Sequence, residues 1–179
     1  NFDALRDRFE THKPRRLHGY AQSIYELARI FEQHGYEFTL KAVSTTAEPL
    51  FDEYRPVVRR VFKCEMFKEY GCGEAQSAAF ECDRHQGLHV TNERCLIEVL
   101  PSKEIVITDL DNVASPFLRY KMGDLATVST KACDCGRKGL LLRHIEGRIG
   151  DCIVGLNGAR LHPEFFTHLL NETGVSSRR

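Results

Sequence analysis

Between Tyr20 and Gly35 the apolar positions Ile24, Leu27, Ala28 and Phe31 recur at i, i+3, i+4 and i+7, the stripe of an amphipathic helix, and Gly35 supplies its stop. A buried strand is expected over "FTLKAV" (38–43), a loop over "STTAEPL" (44–50), and a second helix where Tyr54, Val57, Val58 and Val61 share one face. Pro56 belongs in the first turn of that helix, because a later proline would remove an internal hydrogen bond. A strand around "CEMFKEY" (64–70) completes an alternation of helix and strand. That alternation predicts a partial parallel sheet covered by helices, with ligand loops at the strand ends. Around residue 78 the pattern shortens to "SAAFEC", "GLHVT", "CLIEVL", "EIVITDL", "DLATVST" and "LLLRHI", separated by polar or glycine-bearing turns, which predicts a small antiparallel sheet or barrel. A third segment opens near Gly147 with "GRIGD", a strand "CIVGL", a turn at "NGA" and a helix begun by Pro163. The expected class is α/β plus β-rich, ending in the start of a small α+β C-terminal domain, with divisions at 1–76, 77–146 and 147–179.

Composition narrows the classes of function. A chain of 179 residues with 42% hydrophobic content is long enough for one or two packed cores. Its 25 basic and 25 acidic side chains cancel, leaving no electrostatic footprint for nucleic acid or an anionic membrane, so small-molecule chemistry comes forward. No apolar run approaches the roughly 18–20 residues of a membrane span, and no charged start followed by an apolar stretch marks a signal peptide, so the expected setting is cytosolic. Seven cysteines, an odd number, argue against a fully paired extracellular disulfide framework and leave thiols for metal or for burial. The start at Asn1 without a methionine and the stop at "GVSSRR" read as a piece of a longer chain, as a trimmed chain would also read. No internal repeat or low-complexity tract is present.

Three short stretches carry candidate chemistry. In "YGCGE" (70–74) the glycines let backbone N–H groups approach an anion, Glu74 can hold magnesium and Tyr70 offers a flat face to a base; an ordinary turn is the plain alternative. In "LRYKMGD" (118–124) Arg119 and Asp124 flank an expected glycine turn between two strands, where a carboxylate can take both hydroxyls of a ribose or simply form a surface ion pair. "GRIGD" (147–151) sets Arg148 and Asp151 about Gly150, as a swivel needs and as a linker with a salt bridge would also show. Cys82 and His89, with Cys133 and Cys135 of "CDCG", make a closed tetrahedral zinc set, for which His85 is a competing ligand. Reduced surface thiols, or a redox pair at Cys133 and Cys135, are the other readings. Cys64, Cys95 and Cys152 sit in apolar runs and are expected to be buried, and Cys72 receives no chemistry. His12, His18, His34, His144, His162 and His168 are expected to be solvated or capping.

Taken in order, "STTAEP", "YGCGE", "RYKMGD" and "GRIGD" resemble the second half of an adenylate-forming enzyme, the superfamily of acyl-coenzyme A synthetases, luciferases and peptide-synthetase adenylation domains. Within it, "GLHV", "VITDLDNVASPFLRYKMGD" and "CDCGR" resemble phenylacetate:coenzyme A ligases and related capsule-biosynthesis proteins, and the likeness runs from about Lys13 to Leu170. The resemblance implies that Thr46, Ala47, Glu48 and Pro49 border the adenine and acyl pocket, that Tyr70 stacks on adenine beside Gly71, and that Glu74 binds magnesium. It implies that Asp124 binds the ribose hydroxyls and that Arg148 also reaches the ribose, with Glu74 and Arg148 as the catalytic pair. The hinge falls on Gly150 and Asp151; Gly150 stands where the family commonly has an acid. Gly73 departs from the pattern, since the family usually places there a Ser or Thr hydroxyl for a phosphate oxygen.

The implied activity joins a carboxylic acid to ATP as an acyl-adenylate, and then to coenzyme A as a thioester. By likeness the acid is aromatic, the cofactors are ATP/AMP and Mg2+ with a structural Zn2+, and neither nucleic acid nor membrane is a partner; a homo-oligomer is left open. The family's phosphate-cradling loop lies upstream and its catalytic lysine beyond residue 179, so the chain alone is expected not to turn over. The rival reading is a non-catalytic, zinc-stabilised binding module on the same fold.

Overall fold

The computed structural model describes residues 2–74, 76–149, 153–156 and 160–161. It opens with a helix absent from the hydropathy reading, α1 (Phe2–His12), whose charged surface masks a stripe of Phe2, Leu5 and Phe9 packed into the first core. Strand β1 (Arg16–Gly19) follows, at four residues too short to register as a period. Helix α2 (Ala21–Gln33) buries Ala21, Ile24, Ala28 and Phe31, and Gly35 at φ 62 supplies the left-handed residue that closes it. In α3 (Tyr54–Phe62) Pro56 is the third residue, within the first turn as expected. Strand β2 (Ala42–Thr45) begins at Ala42 rather than Phe38. The N–H groups of Phe38 and Leu40 instead donate to the carbonyls of Val61 and Phe62, at 3.0 and 2.9 Å, satisfying acceptors that the end of α3 leaves without intrahelical partners.

The remaining strands are β3 (Met66–Cys72), β4 (Gln76–Glu81), β5 (Leu88–Val90), β6 (Cys95–Val99), β7 (Glu104–Asp109), β8 (Tyr120–Val128) and β9 (Leu141–Arg148). They form one nine-stranded sheet in the order β1-β2-β3-β4-β5-β9-β8-β7-β6. β1, β2 and β3 run parallel, and the later pairings are antiparallel. The two sheets expected from the sequence are therefore one, because β3 bonds β2 in parallel on one edge and β4 antiparallel on the other. The sheet ends at β1 and β6 and does not close into a barrel.

Two cores follow from this arrangement. The helices cover one face of the parallel strands with Phe31, Val43, Val58, Phe62 and Met66; the antiparallel part encloses Ala79, Cys95, Ile105, Ile107 and Leu142. Each wholly buried large side chain among them contributes about 1.5–3 kcal/mol. The expected turn inside "LRYKMGD" is also corrected. Tyr120 to Val128 is one continuous strand, in which Gly123 takes φ 77 and the register shifts at Leu125/Ala126. Arg119 does not pair with Asp124: its guanidinium meets Glu98, with Nε 3.0 Å from Oε2. Beyond β9, the two-residue strands β10 (Ile153–Val154) and β11 (Arg160–Leu161) pair antiparallel. The hinge positions Gly150 and Asp151, Cys152, and the helix expected from Pro163 lie outside the described residues. Among the described residues, no helix is long and apolar enough to cross a membrane.

Candidate functional site

Two segments, each a tyrosine followed four positions later by an acid, meet at one end of the sheet. Tyr70 and Glu74 belong to the β3–β4 hairpin, whereas Tyr120 and Asp124 lie on β8. The Tyr70 hydroxyl donates to Asp124 Oδ2 at 2.8 Å and lies 3.5 Å from Met122 Sδ. The Tyr120 hydroxyl donates to Glu74 Oε1 at 3.2 Å. Asp124 Oδ1 faces Arg148 Nε at 3.3 Å, across the β8–β9 ladder in which the two residues are register partners. Arg148 Nη2 also donates to the Met122 carbonyl at 3.2 Å. Burial, then the charge of Asp124, raises the Tyr70 phenol above its ordinary range, so at neutral pH it remains a donor. For Tyr120 the hydrogen bond to Glu74 is the leading cause of a shift in the same direction.

The structure thus links Tyr70 and Arg148 to Asp124, and Glu74 to Tyr120 on the same strand, but changes how some of the expected site residues are presented. The Tyr70 ring is 9% exposed and packs into the second core, so the face expected to meet a base is covered in this structure. Gly71 is no loop residue; it is laddered opposite Ser77, after a bulge at Tyr70/Gly71, and the turn proper starts at Gly73. A Cβ added at Gly73 would meet nothing within 4 Å. In the 46–49 loop, Thr46 N–H donates to Gly19 O at 3.2 Å and Ala47 takes φ 64. Glu48 Oε2 accepts from Gln22 N–H at 3.1 Å, capping α2, whose own N-cap Tyr20 makes no side-chain capping bond.

Sequence reasoning missed a polar cluster beside these loops. His18, Ser44 and Glu69 stand on β1, β2 and β3, with His18 Nδ1 2.9 Å from Ser44 Oγ and 3.5 Å from Glu69 Oε2. These are residues toward the carboxyl ends of parallel strands, where open α/β sheets take ligands. Four-residue strands give no period from which to predict the pairing. His34 caps its own helix, Nδ1 lying 2.8 Å from Ile30 O while its ring stacks on Phe2 at 4.0 Å.

A second cluster lies where β4, β5 and the 132–139 loop converge. The ligand atoms of Cys82, His89, Cys133 and Cys135 all fall within 4.8 Å of one another. Cys82 Sγ is 3.5 Å from Cys133 Sγ, and Cys135 Sγ is 3.4 Å from His89 Nε2. A tetrahedral zinc ion, with Zn–S near 2.3 Å and Zn–N near 2.0–2.1 Å, sets edges of roughly 3.8 Å between sulfurs and 3.6 Å between sulfur and nitrogen. The four residues therefore fit such an ion in both chemistry and spacing. The backbone N–H of Arg84 points to Cys82 Sγ at 3.4 Å, and that of Arg137 to Cys135 Sγ at 3.5 Å. The latter contact leads in lowering the Cys135 thiol, and burial lowers His89, so both favour their ligand forms. Gln86 ties the two loops, Nε2 donating to Asp134 Oδ2 at 2.6 Å and Oε1 accepting from Asp134 N–H at 3.0 Å. At Gly87 (φ 148) any Cβ would sit 2.6 Å from the Leu142 carbonyl, so only glycine lets the loop approach β9 this closely.

His85, the competing ligand, is engaged elsewhere. Its Nδ1 lies 3.2 Å from Glu81 Oε2 and 3.1 Å from Arg55 Nη1, and its ring stacks on Phe67. Glu81 is nearly buried and also takes Arg55 Nη2 at 3.0 Å on each oxygen and the Lys68 N–H at 2.9 Å; Arg55 donates further to the Met66 carbonyl.

No protein-family model matches the sequence. The chain is 30% identical over 158 residues to phenylacetate-coenzyme A ligase of Thermus thermophilus, covering 80% of this chain and 35% of that protein. It is 26% identical over 147 residues to protein CapK of Staphylococcus aureus, covering 78% and 32%. The chain thus spans about a third of the length of the curated relatives it matches. Among solved structures it is similar to a 2-hydroxyisobutyryl-CoA ligase in the postadenylation state in complex with R3-HIB-AMP, with a TM-score of 0.79 at 20% identity over 94% of this chain and 40% of that one.

Proposed function

The chain belongs to the adenylate-forming superfamily as a partial chain, and we propose that it supplies the ribose- and magnesium-binding side of an AMP-forming acid:coenzyme A ligase. The observation that carries this reading is the convergence on Asp124. Tyr70 from β3, Asp124 from β8 and Arg148 from β9 are remote in sequence, yet both Asp124 oxygens are held, at 2.8 and 3.3 Å. A carboxylate fixed in this way is ready to receive the two hydroxyls of a ribose, and Arg148, 63% exposed, lies beside it to reach the same sugar. Glu74 stands on the neighbouring turn, where Mg2+ bound to it would neutralise phosphate charge. The reaction has two steps. The substrate carboxylate attacks the α-phosphate of ATP and releases pyrophosphate; the thiol of coenzyme A then displaces AMP from the acyl-adenylate. Catalysis of the first step is positioning and electrostatics rather than covalent chemistry by the protein.

Further assignments belong to the same reading. Residues 1–76 end an α/β nucleotide-binding subdomain, 77–146 form a β-rich subdomain, and 147–179 carry the Gly150–Asp151 hinge and the start of a mobile domain. Zn2+ on Cys82, His89, Cys133 and Cys135 staples the β-rich part; a four-ligand set explains the cluster better than a redox pair, which uses two thiols and no imidazole. Among the described residues, Cys64, Cys82, Cys95, Cys133 and Cys135 form no disulfide, and the setting of this reading is cytosolic. The acid is a small molecule. Aromatic acids are the default by likeness, but His18, Ser44 and Glu69 give the site a polar wall that favours an acid bearing its own hydrogen-bond donor.

The test is pyrophosphate release by the intact protein against a panel pairing aryl acids with hydroxylated ones, using Glu74→Ala and Asp124→Ala as controls. Release above the controls is expected, and its absence with every acid would sink the ligase reading. A second reading, a non-catalytic zinc-stabilised module, is favoured by Gly73, which offers no hydroxyl to a phosphate; that same absence of release would establish it.

A further inference from the structure

The two tyrosine–acid segments are crossed: each tyrosine holds the acid of the other segment. Tyr70 of the hairpin bonds Asp124 of β8, and Tyr120 of β8 bonds Glu74 of the hairpin, across sequence separations of 54 and 46. We propose that Tyr120 is a positioning residue for the divalent cation: its hydroxyl fixes Glu74 Oε1 so that Oε2 is presented to Mg2+ in register with Asp124. This rests on the reading of Glu74 as the magnesium ligand.

The need for such a residue follows from the backbone. Glu74 sits on a turn preceded by Gly71 and Gly73, and a Cβ added at Gly73 would meet nothing within 4 Å, so the residue before the glutamate leaves its side of the turn open. A free Glu loses rotamer entropy when it is fixed. Tyr120 is better anchored. It opens a nine-residue strand paired with both β7 and β9, stands opposite Ile107, and packs edge-on against Phe117 with ring centroids 5.0 Å apart. A bond from this residue orders the carboxylate before the metal arrives and lowers the cost of binding. It also spends one oxygen and leaves the other, which suits a cation that keeps most of its waters and takes few protein ligands.

The crossing adds a geometric consequence. Tyr120 and Asp124 share one strand, so the distance between the cation ligand and the ribose ligand is set by β8 and not by the glycine turn. The ribose and the phosphates it carries are thereby indexed to the cation through a single rigid element.

The test is Mn2+ binding, read by electron paramagnetic resonance in the presence of ATP, on the intact protein and on Glu74→Gln, Tyr120→Phe and the double variant. Tyr120→Phe keeps the ring on Phe117 and removes only the hydroxyl. Loss of one hydrogen bond of about 1 kcal/mol predicts a Kd for Mn2+ about fivefold weaker. The melting temperature should be unchanged, and Tyr120→Phe should have no further effect on Mn2+ binding in the Glu74→Gln background. A merely structural tyrosine would lower the melting temperature and leave the cation constant alone. If Glu74→Gln weakens Mn2+ and Tyr120→Phe does not, or if the two effects add in the double variant, Tyr120 does not act through Glu74 and the inference is wrong. If Glu74→Gln itself leaves Mn2+ binding unchanged, Glu74 is not the cation ligand, and the magnesium assignment falls together with this inference.

Discussion

Replacing Cys133 by alanine removes one corner of the Cys82, His89, Cys133, Cys135 set, and its effect can be worked out from the geometry. An ion in this set ties positions 51 residues apart through Cys82 and Cys133, and positions 46 apart through His89 and Cys135. The second tie lies almost within the first, so it closes little additional chain. A single cross-link of that span restricts the unfolded chain by about 4 kcal/mol in the loop-entropy treatment. The apolar support of the cluster is Leu141 and the cysteines themselves, and the two hydrogen bonds between Gln86 and Asp134 tie the loops besides. For a chain of this size each kcal/mol moves the midpoint by about 2–4 °C, so Cys133→Ala, or chelation of the wild type, should lower melting by about 8–16 °C. The assay is differential scanning calorimetry with and without chelator, alongside metal analysis; one zinc per wild-type chain is expected, and Cys72→Ala, outside the cluster, should keep the metal. Full zinc content in Cys133→Ala, or an unchanged midpoint after complete removal of metal from the wild type, would refute the assignment.

Three further outcomes are expected. Glu81→Gln removes the buried countercharge of Arg55 and leaves it only the exposed Asp52, 3.8 Å from Nε, so it should cost up to about 3–5 kcal/mol in urea denaturation, whereas the double variant with Arg55→Met should recover part of that loss; an effect near zero would mean that the pair is solvated. Burial, chiefly, pushes the Cys64 and Cys95 thiols to about 11 and the Tyr54 phenol to about 12, above unfolded values of 9.0 and 10.0. At these three groups the folded state binds protons more tightly than the unfolded one, so their contribution to stability is fully present below about pH 9 and is lost from about pH 9 to 12; thermal melts at pH 8 and pH 11 check the sign. Gly73→Ser has open space around its Cβ, and should restore a hydroxyl to the turn and raise kcat/KM for ATP roughly tenfold in pyrophosphate release, provided that a phosphate passes there.

Local periodicity was enough to predict α2 and α3, because Ile24, Ala28 and Phe31, and then Tyr54, Val58 and Val61, repeat on one face and are buried. It was not enough for α1, where Arg, Asp and Glu surround only three apolar positions on the core face, nor for the start of β2, where the α3 carbonyls compete for the N–H groups of Phe38 and Leu40. The candidate site was legible as motifs and illegible as contacts. "YGCGE" and "RYKMGD" are each local, but that their tyrosines exchange acids depends on a β8 that reaches back past Gly123 to Tyr120, where the sequence pattern suggested a turn. The choice between His85 and His89 had no signal in spacing. In the structure the sheet places His89 on β5 beside β9 and among the cysteines, while Glu81 draws His85 away.

Strand β9 begins at Leu141, against the thiols of the metal cluster, and ends at Arg148, against Asp124. Its eight residues span roughly 23 Å at about 3.3 Å per residue. A cation among the cysteines would thus be too distant to touch a phosphate bound beside Asp124. A cation held there would brace one end of a beam whose other end carries Arg148, the residue proposed to reach the ribose. Chelation should accordingly loosen the aim of Arg148, appearing as weaker nucleotide binding and faster amide exchange along β9, while the electrostatics of the reacting centre stay as they were.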